Sequence, residues 1–508
     1  MWAALPLLLI QPEEGAAAVG EADGLSMEVT WTRHQQFWVS NRQNVDAISF
    51  WTRAMMVPIA LALGVLIFVF ARDLFGAQAA VFAVALYTLE PTVLAHGRVV
   101  HTDVPGALAF LLFVFALWRY VKVRATQRAL LLGVVSGLAL VTKFSMVVIL
   151  PVLVCLTIAA LALPRCFATD RKTVALHAGL VFCVLLFIVN ATYYFSSPAI
   201  EPADQKWVQM KSPESHEEWL TFFNVGARIV PTYFLFGQYN VMLHNSEGHR
   251  ASLLGQYRSR GWWYYFPVAF ALKTPLPFLI LAVAAIGFAV WQTSKSDWRF
   301  LWLLIPFAFY AAIAMSSNIN IGIRHLLPAY PFLFIAAGSL LDRFLRVQYL
   351  RALRIAVVIV LFSWMTVEML RTYPDYIPYG NQLAANAPLW WYLSDSNVEW
   401  GDDARELAAY LHAHGETEVR GAVAGGWTTL GLYGVIYYDM MSGPGAKIPE
   451  TRYVAIGASF LNGSTVAAAA DEHGNPLSDE QRVNYFATYR GRTPETVIGR
   501  SIYVYRVR

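Results

Sequence analysis

The sequence predicts a polytopic α-helical membrane protein with a small α/β domain at its C-terminal end. The chain has 508 residues, of which 57% are hydrophobic and only 14% are charged, and its mean hydropathy is +0.45. Soluble domains carry about a quarter of their residues as Asp, Glu, Lys and Arg. Many of the apolar residues also form runs of the length that crosses a bilayer as a helix. From about residue 371 the sequence becomes polar and rich in glycine.

We predict about ten spans within a bundle at 53–370. The apolar runs lie at 54–71, 77–95, 104–118, 129–142, 145–163, 174–194, 265–291, 300–315, 326–341 and 353–370. Only Lys143 and Phe144 separate the fourth run from the fifth, so they are either two short helices or one long bent helix. A long loop, 195–263, interrupts the bundle.

The first segment, 1–52, is predicted to combine an interfacial helix with the first extracytoplasmic stretch. MWAALPLLLI is too short to cross a bilayer and has no basic residues of the kind that open a signal peptide. If the original N-terminus is cytoplasmic, we expect one further span before this segment.

The distribution of Lys and Arg predicts the orientation of the bundle, because short cytoplasmic loops are enriched in these residues. The basic connections alternate along the chain and contain Arg72, then Arg119 to Arg128, then Arg165 to Lys172, then Lys295 and Arg299, then Arg343 to Arg351. The other connections, including loop 195–263 and everything after about 371, are then extracytoplasmic. The expected location is an inner or plasma membrane.

The segment 371–508 is predicted to form the soluble α/β domain. A helical pattern at DARELAAYLHAHG (403–415) is followed by strand-like runs at VRGAVAGG, YGVIYYDMM, RYVAIGAS and SIYVYRVR. The net charge of +4 is too small to indicate nucleic-acid binding. Cys155, Cys166 and Cys183 show no paired spacing, so neither a disulfide framework nor a cysteine metal site is expected.

Candidate site residues lie in the connections predicted to be extracytoplasmic. One turn holds Arg98, two histidines and Asp103, and it reads either as a helix N-terminus or as a site for a metal or phosphate. Lys143, Arg324 and His325 lie at outer span ends, where the positive-inside bias gives basic residues no support. Snorkelling to the interface is the alternative for Lys143. The loop before residue 263 adds His249, Arg250 and Tyr257, and the aromatic run 262–265 is most simply an interfacial belt.

Together these connections predict a cationic rim at the outer mouth of the bundle. The rim contains Arg98, Lys143, Arg250, Arg258, Arg260, Lys273 and Arg324. An anionic lipid headgroup, such as a phosphate that carries a sugar, would explain it. A transporter or flippase for an anionic lipid or solute would explain it equally well, and a non-catalytic scaffold for the C-terminal domain is a third hypothesis.

Several segments in order along the chain resemble a bacterial branch of glycosyltransferase family 39. They are ARDLFGAQAAVFAVALYTLEPTVLAHGRVVHTDVP, GLALVTKFS, GWWYYFPVAFALKTPLP, NIGIRHLLPAYPF and YLSDSNVEWGDD. This branch is similar to the dolichyl-phosphate-mannose protein mannosyltransferases and the aminoarabinose transferases, which share the GT-C membrane fold. The resemblance implies an inverting transfer of one sugar from a polyprenyl-phosphate carrier in the membrane to an extracytoplasmic protein or lipid acceptor.

The resemblance also assigns roles to residues. Asp103 matches a family position and is the predicted catalytic residue, while Lys143 and Arg324, with His325 and Arg98, are predicted to bind the donor phosphate. His249, with Arg250 and Tyr257, falls in a loop where relatives place a substrate-binding or metal-binding histidine. No cofactor is assigned with certainty, since Lys and Arg can stabilise the lipid phosphate leaving group with or without a divalent metal ion. The family's usual acidic base precedes MWAALPLLLI, so we expect that base to be absent here.

Overall fold

The computed structural model describes residues 2–13, 27–163, 170–442, 446–466 and 475–507, and most of them are helical. Within these ranges, eight helices are long and apolar enough to cross a membrane: Arg42–Phe75, Asp103–Lys122, Phe144–Ala162, Arg171–Thr192, Leu276–Ser294, Trp298–Ser316, Ile323–Arg346 and Arg351–Thr372. A ninth crossing is formed if Ala77–Thr88 and Pro91–Gly97, bent by 68° at their junction, act as one span. Thr126–Thr142 is a shorter apolar helix. The predicted polytopic helical architecture is confirmed.

Two breaks divide long apolar stretches of the sequence into separate helices. Lys143 is extended, with φ −153° and ψ 131°, so the runs on either side of it form two helices rather than one bent helix. The apolar run 265–291 forms two helices, Tyr265–Lys273 and Leu276–Ser294. Thr274 lies in the β region between them because the following Pro275 disfavours a helical residue before it.

Helix Ile323–Arg346 forms the centre of the bundle. Its most apolar stretch is 89% buried inside the protein, whereas that of Arg351–Thr372 is only 11% buried and faces outward. The central helix also packs against helix Ala77–Thr88. A side chain at Gly338 would overlap the carbonyl oxygen of Ala79, so the glycine allows these two helices to approach closely. Small residues of this kind are typical of helix contacts within membranes.

The two ends of the bundle differ in their charged contacts. At one end Arg119 pairs with Asp73 at 3.2 Å, and Arg299 donates to the carbonyl oxygen of Leu74 at 2.7 Å. The basic connections therefore meet at this end, which we call the basic end, although Arg165 lies outside the described residues. The connections that contain Asp103 and Arg324 meet at the opposite end, which we call the site end.

The first segment and the long loop lie beside the site end as short helices. Leu7–Ile10 and Met27–Ser40 lead into the first span, and Leu8 and Leu9 are 73% and 89% exposed. An interfacial position for this short helix stays a prediction. The acidic residues Glu14, Glu21 and Asp23 of this segment lie outside the described residues.

Loop 195–263 folds into helices and a hairpin. The helices are Pro202–Lys211, His216–Gly226 and Thr232–Glu247, and strands β1 (Ala251–Leu253) and β2 (Gln256–Arg258) are antiparallel. The aromatic run after the hairpin is not a uniform interfacial belt. Trp262 and Tyr265 are buried, and only Trp263 is exposed to a large extent, at 68%.

The C-terminal α/β domain is confirmed as a five-stranded mixed sheet with short helices. Its strands are β3 (Glu418–Ala422), β4 (Ile436–Asp439), β5 (Tyr453–Gly457), β6 (Thr496–Ile498) and β7 (Ile502–Arg506), in the order β4-β3-β5-β7-β6. Strand β3 pairs in parallel with β4 and β5, and β7 pairs antiparallel with β5 and β6. The helices are Leu389–Tyr392, Ala404–Ala413, Gly426–Leu432, Ala458–Leu461, Asp479–Asn484 and Ala487–Arg490. Of these strands, the sequence pattern did not predict β6.

Candidate functional site

Asp103 is the centre of a buried charge cluster at the site end. It is the first residue of helix Asp103–Lys122 and only 1% of its surface is exposed. Lys143 Nζ donates to its Oδ1 at 2.6 Å, and Arg324 Nη1 donates to its Oδ2 at 3.3 Å. His101 Nδ1 lies 2.8 Å from the same Oδ2. We call these four residues the Asp103 cluster.

The geometry of His101 follows from the donors around it. Arg324 Nη1 lies 3.2 Å from His101 Nε2, and a guanidinium can only donate. Nε2 is therefore the acceptor, and the hydrogen of a neutral ring lies on Nδ1, facing Asp103. Both carboxylate oxygens of Asp103 are thus engaged by the surrounding side chains.

Lys143 reaches the cluster from the break between two helices. The break places its side chain across helix Asp103–Lys122, where the side chain packs against Gly106. A Cβ at Gly106 would lie 3.2 Å from Lys143 Cδ, so a larger residue there would push the ammonium group out of place. The side chain of Lys143 is 12% exposed, which excludes the snorkelling alternative because its charged group is buried against a carboxylate.

Arg324 is fixed from the other side by the segment that follows the last span. Its Nε donates to Ser396 Oγ at 2.8 Å, and its guanidinium carbon lies 4.5 Å from the centre of the Trp400 ring. Ser396 in turn donates to the carbonyl oxygen of Ile321. Gly322, at φ +150°, adopts a conformation that favours glycine and leaves room for Ser396. The position of the guanidinium is therefore set by two distant parts of the chain.

The segment 394–400 connects the cluster to the rest of the protein. Asn397 accepts from the backbone N–H of Ile323 at 3.0 Å, and its carbonyl oxygen accepts from Lys273 Nζ at 2.7 Å. Glu399 accepts from the N–H of Ala424 at 2.9 Å and from Ser459 Oγ at 2.7 Å, so it joins the segment to the C-terminal domain. Sequence analysis singled out no residue of this segment as a site residue.

The cluster carries an uncompensated charge. Lys143 and Arg324 are both cations, and in the part of the chain that the structure describes each has an ion pair only with Asp103. One carboxylate therefore faces two permanent cations. A buried charge without a partner is costly. An anionic group bound here would complete the charge balance.

Other predicted phosphate-binding residues lie beside the cluster or apart from it. His325 is half-buried next to Arg324, and its Nε2 atom is buried without a hydrogen bond to the described residues. Arg98 lies 3.6 Å from Asp402 and lines a separate cavity. Lys273 does not belong to a cationic rim, because it is buried and its ammonium group is bound by the carbonyl oxygens of Ile377 and Asn397.

The predicted loop residues lie apart from the Asp103 cluster. His249 Nδ1 is 3.0 Å from His244 Nε2, and its Nε2 is 3.6 Å from Asp395. Arg250 directly precedes β1, and Tyr257 lies in β2. Among the described residues, no group of three or more His, Cys, Asp or Glu side chains is arranged to hold a metal ion.

Comparison with known proteins identifies the first half of the bundle. Residues 45–193 match the family model of dolichyl-phosphate-mannose-protein mannosyltransferase, and this range includes Asp103 and Lys143. Over this range the chain is similar to the glycosyltransferases that the family model describes. The resemblance read from the sequence is thereby confirmed. A comparison with curated proteins gives no match.

Several solved structures also resemble this chain. ArnT from Cupriavidus metallidurans bound to undecaprenyl phosphate is 13% identical with a TM-score of 0.45, and the match covers 92% of this chain and 87% of ArnT. The oligosaccharyltransferase of Archaeoglobus fulgidus in complex with Zn and sulfate is 13% identical with a TM-score of 0.42, and AglB of the same organism with an inhibitory peptide and a dolichol-phosphate is 12% identical with a TM-score of 0.41. The matches cover 87% and 83% of this chain but only 61% of each of these longer proteins. Likenesses of this size do not define a site.

Proposed function

We propose that this protein is an inverting glycosyltransferase that moves a sugar from a polyprenyl-phosphate carrier to an extracytoplasmic protein or lipid acceptor. The observation that carries the proposal is the uncompensated positive charge of the Asp103 cluster at one end of an apolar bundle. A polyprenyl phosphate is an anion on a membrane-embedded chain, so its phosphate reaches this position without leaving the bilayer surface. The family-model match over residues 45–193 supports the same reaction class.

In this proposal, Lys143 and Arg324 stabilise the departing lipid phosphate. Negative charge develops on the phosphate oxygen as the bond to the sugar breaks, and preorganised cations in a dry site lower the energy of that state. Arg324 offers a fork of donors that matches two phosphate oxygens, while Lys143 supplies a point charge. His325, whose Nε2 is unpaired among the described residues, is a further donor to the same anion.

Asp103 is proposed to position the two cations rather than to take a proton from the acceptor. Its carboxylate is 1% exposed, and both of its oxygens already face nitrogen donors at 2.6 to 3.3 Å. An acceptor hydroxyl therefore has no open approach to it. We therefore propose a positioning role for Asp103 in place of the catalytic role that the family resemblance implies.

The site end is proposed to face the extracytoplasmic side. The basic end gathers Arg72, Arg119, Arg299 and Arg346, as expected of cytoplasmic connections. Loop 195–263 and the C-terminal domain would then both lie outside, beside the acceptor.

A strain that lacks the gene tests the proposed reaction whichever sugar the donor carries. Its polyprenyl-phosphate fraction, measured by mass spectrometry, is expected to accumulate one lipid-linked sugar, which wild-type protein removes. The double variant Lys143→Ala/Arg324→Ala is expected to leave the sugar in place. The matched control Arg346→Ala, at the basic end, is expected to remove it as the wild type does.

In the same deletion strain, the side of the membrane on which the lipid-linked sugar accumulates distinguishes a transferase from a flippase. The sugar that accumulates without a transferase is on the outer leaflet, so impermeant periodate should oxidise it in intact spheroplasts. A sugar that is protected from periodate would instead indicate transport. An unchanged set of lipid-linked sugars would contradict both the transferase and the flippase hypotheses.

A further inference from the structure

A large cavity lies between the first span and the C-terminal domain. Its volume is about 650 Å³, which is in the range of small-molecule binding sites. Its wall is formed by residues of the N-terminal helices, the turn before Asp103 and the C-terminal domain, including Trp38, Phe50, Arg53, Arg98, Asp402 and Tyr433. Aromatic rings and guanidinium groups therefore face the same space.

The cavity adjoins the Asp103 cluster. Asp402 lines the cavity, and Trp400, two residues earlier, packs on Arg324 at 4.5 Å and on the ring of His101 at 5.2 Å. Arg98, which lies 3.6 Å from Asp402, precedes His101 by three residues. The same two chain segments thus form a wall of the cavity and a wall of the cluster, with Trp400 between them.

Three carboxylates line the cavity, and Asp402 is the one beside the cluster. Asp46 accepts from the Tyr433 hydroxyl at 3.0 Å and lies 3.8 Å from Arg405, so it is paired within the cavity wall. Glu406 is an exposed residue in the first turn of helix Ala404–Ala413. Position in the chain and contact with Arg98 therefore single out Asp402.

The surroundings of Asp402 suit a proton acceptor. Its side chain is 16% exposed, and its Oδ1 is buried without a hydrogen bond to another residue of the described ranges. Burial raises the pKa of Asp402 above its usual range, the charge of Asp375 adds to this, and the nearby Arg98 and Arg53 oppose it. Its neighbour Asp403 differs, because it accepts from Ser501 and anchors a turn of the C-terminal domain.

We propose that the cavity binds the acceptor and that Asp402 is the general base that takes the proton from the acceptor hydroxyl. The inference rests on the proposed function. As the proton moves to the Asp402 carboxylate, the acceptor oxygen forms a bond to the anomeric carbon of the sugar. The bond between that carbon and the phosphate oxygen breaks, and its electron pair stays on the lipid phosphate held by Lys143 and Arg324. No other reactant is needed.

The variant Asp402→Asn tests this role, since it keeps the size and most hydrogen bonds of the side chain but cannot take the proton. Loss of a general base costs roughly a hundred- to ten-thousandfold in rate. In membranes of the deletion strain, we therefore expect the variant to consume the accumulated lipid-linked sugar at least a hundredfold more slowly than wild type. Its affinity for undecaprenyl phosphate should equal that of wild type, which also shows that it is folded. Glu416→Gln, a carboxylate change at the Arg452 pair of the same domain, serves as the control with unchanged rate.

The variant Asp402→Ala distinguishes a role as general base from a purely structural role of Asp402. Formate added to membranes that carry Asp402→Ala should raise the rate at least tenfold, because a small carboxylate can occupy the space and take the proton. A decrease of less than tenfold in Asp402→Asn, or no effect of formate on Asp402→Ala, overturns the inference. The proposed function fails separately, when the deletion strain accumulates no lipid-linked sugar and the wild type does not bind undecaprenyl phosphate.

Discussion

Replacing Asp103 with Asn should destabilise the protein strongly, because it leaves two buried cations without a counter-charge. Asp103 is 1% exposed, and Lys143 and Arg324 are 12% and 8% exposed in their side chains. Removing one partner of a buried ion pair costs about 3–5 kcal/mol. We expect a loss of this size in the free energy of unfolding, measured by equilibrium denaturation in mixed detergent micelles. Asp73→Asn is the matched control, since its partner Arg119 is 44% exposed and such pairs contribute about 1 kcal/mol or less.

A double-mutant cycle assigns the loss to the charge balance. The double variant Asp103→Asn/Lys143→Met has one unpaired buried cation instead of two, so it should be less destabilised than the sum of the single changes. The expected coupling is on the order of 2 kcal/mol for groups in contact. Strict additivity, or a loss in Asp103→Asn no larger than in the Asp73 control, would refute the buried cluster.

Two further predictions concern orientation and pH. In a background without cysteine, Glu217→Cys in loop 195–263 and Thr493→Cys in the C-terminal domain should both react with an impermeant thiol reagent in spheroplasts. Gln348→Cys at the basic end should not react. Labelling of Glu217→Cys or Thr493→Cys alone would exclude the proposed topology. Burial raises the pKa of Asp403 to about 8 and that of Glu399 to about 7, so the folded C-terminal domain holds protons that the unfolded chain releases near pH 4. The stability of the folded domain should therefore fall as pH rises from about 4 to 8 and then level off. Asp403→Asn should reduce this pH dependence of the thermal unfolding temperature. An unchanged pH dependence in the variant would show that Asp403 does not titrate in this pH range.

The spans and the central cations were predictable from the sequence because the signals that reveal them are local. An uninterrupted apolar run of sufficient length is typical of a helix that crosses a bilayer. Lys143 and Arg324 stood out since each is basic at a span end where the positive-inside bias gives no support. The structure brings both to Asp103, although 221 residues separate Arg324 from it.

The rest of the site depends on contacts that no local pattern encodes. Ser396 and Trp400 reach Arg324 from beyond the last span, and the motif YLSDSNVEWGDD that contains them carries the family resemblance without indicating these contacts. Arg98 is only five residues from Asp103 but faces the neighbouring cavity, because the turn between them directs the two side chains to different sides. The break at Thr274, by contrast, has a local cause in Pro275, because the residue before a proline disfavours the helical region.

The affinity of the purified protein for undecaprenyl phosphate tests the central claim most directly. A charge-assisted contact contributes roughly 1.5–3 kcal/mol, so Arg324→Ala should weaken binding roughly ten- to a hundredfold. Arg324→Lys should restore only part of the affinity, because an ammonium group cannot reproduce the two-pronged contact of a guanidinium. Arg346→Ala, at the basic end, should bind as wild type does. Equal affinity in wild type, Arg324→Ala and Lys143→Ala would contradict the account, since the anion would then not be held by the Asp103 cluster.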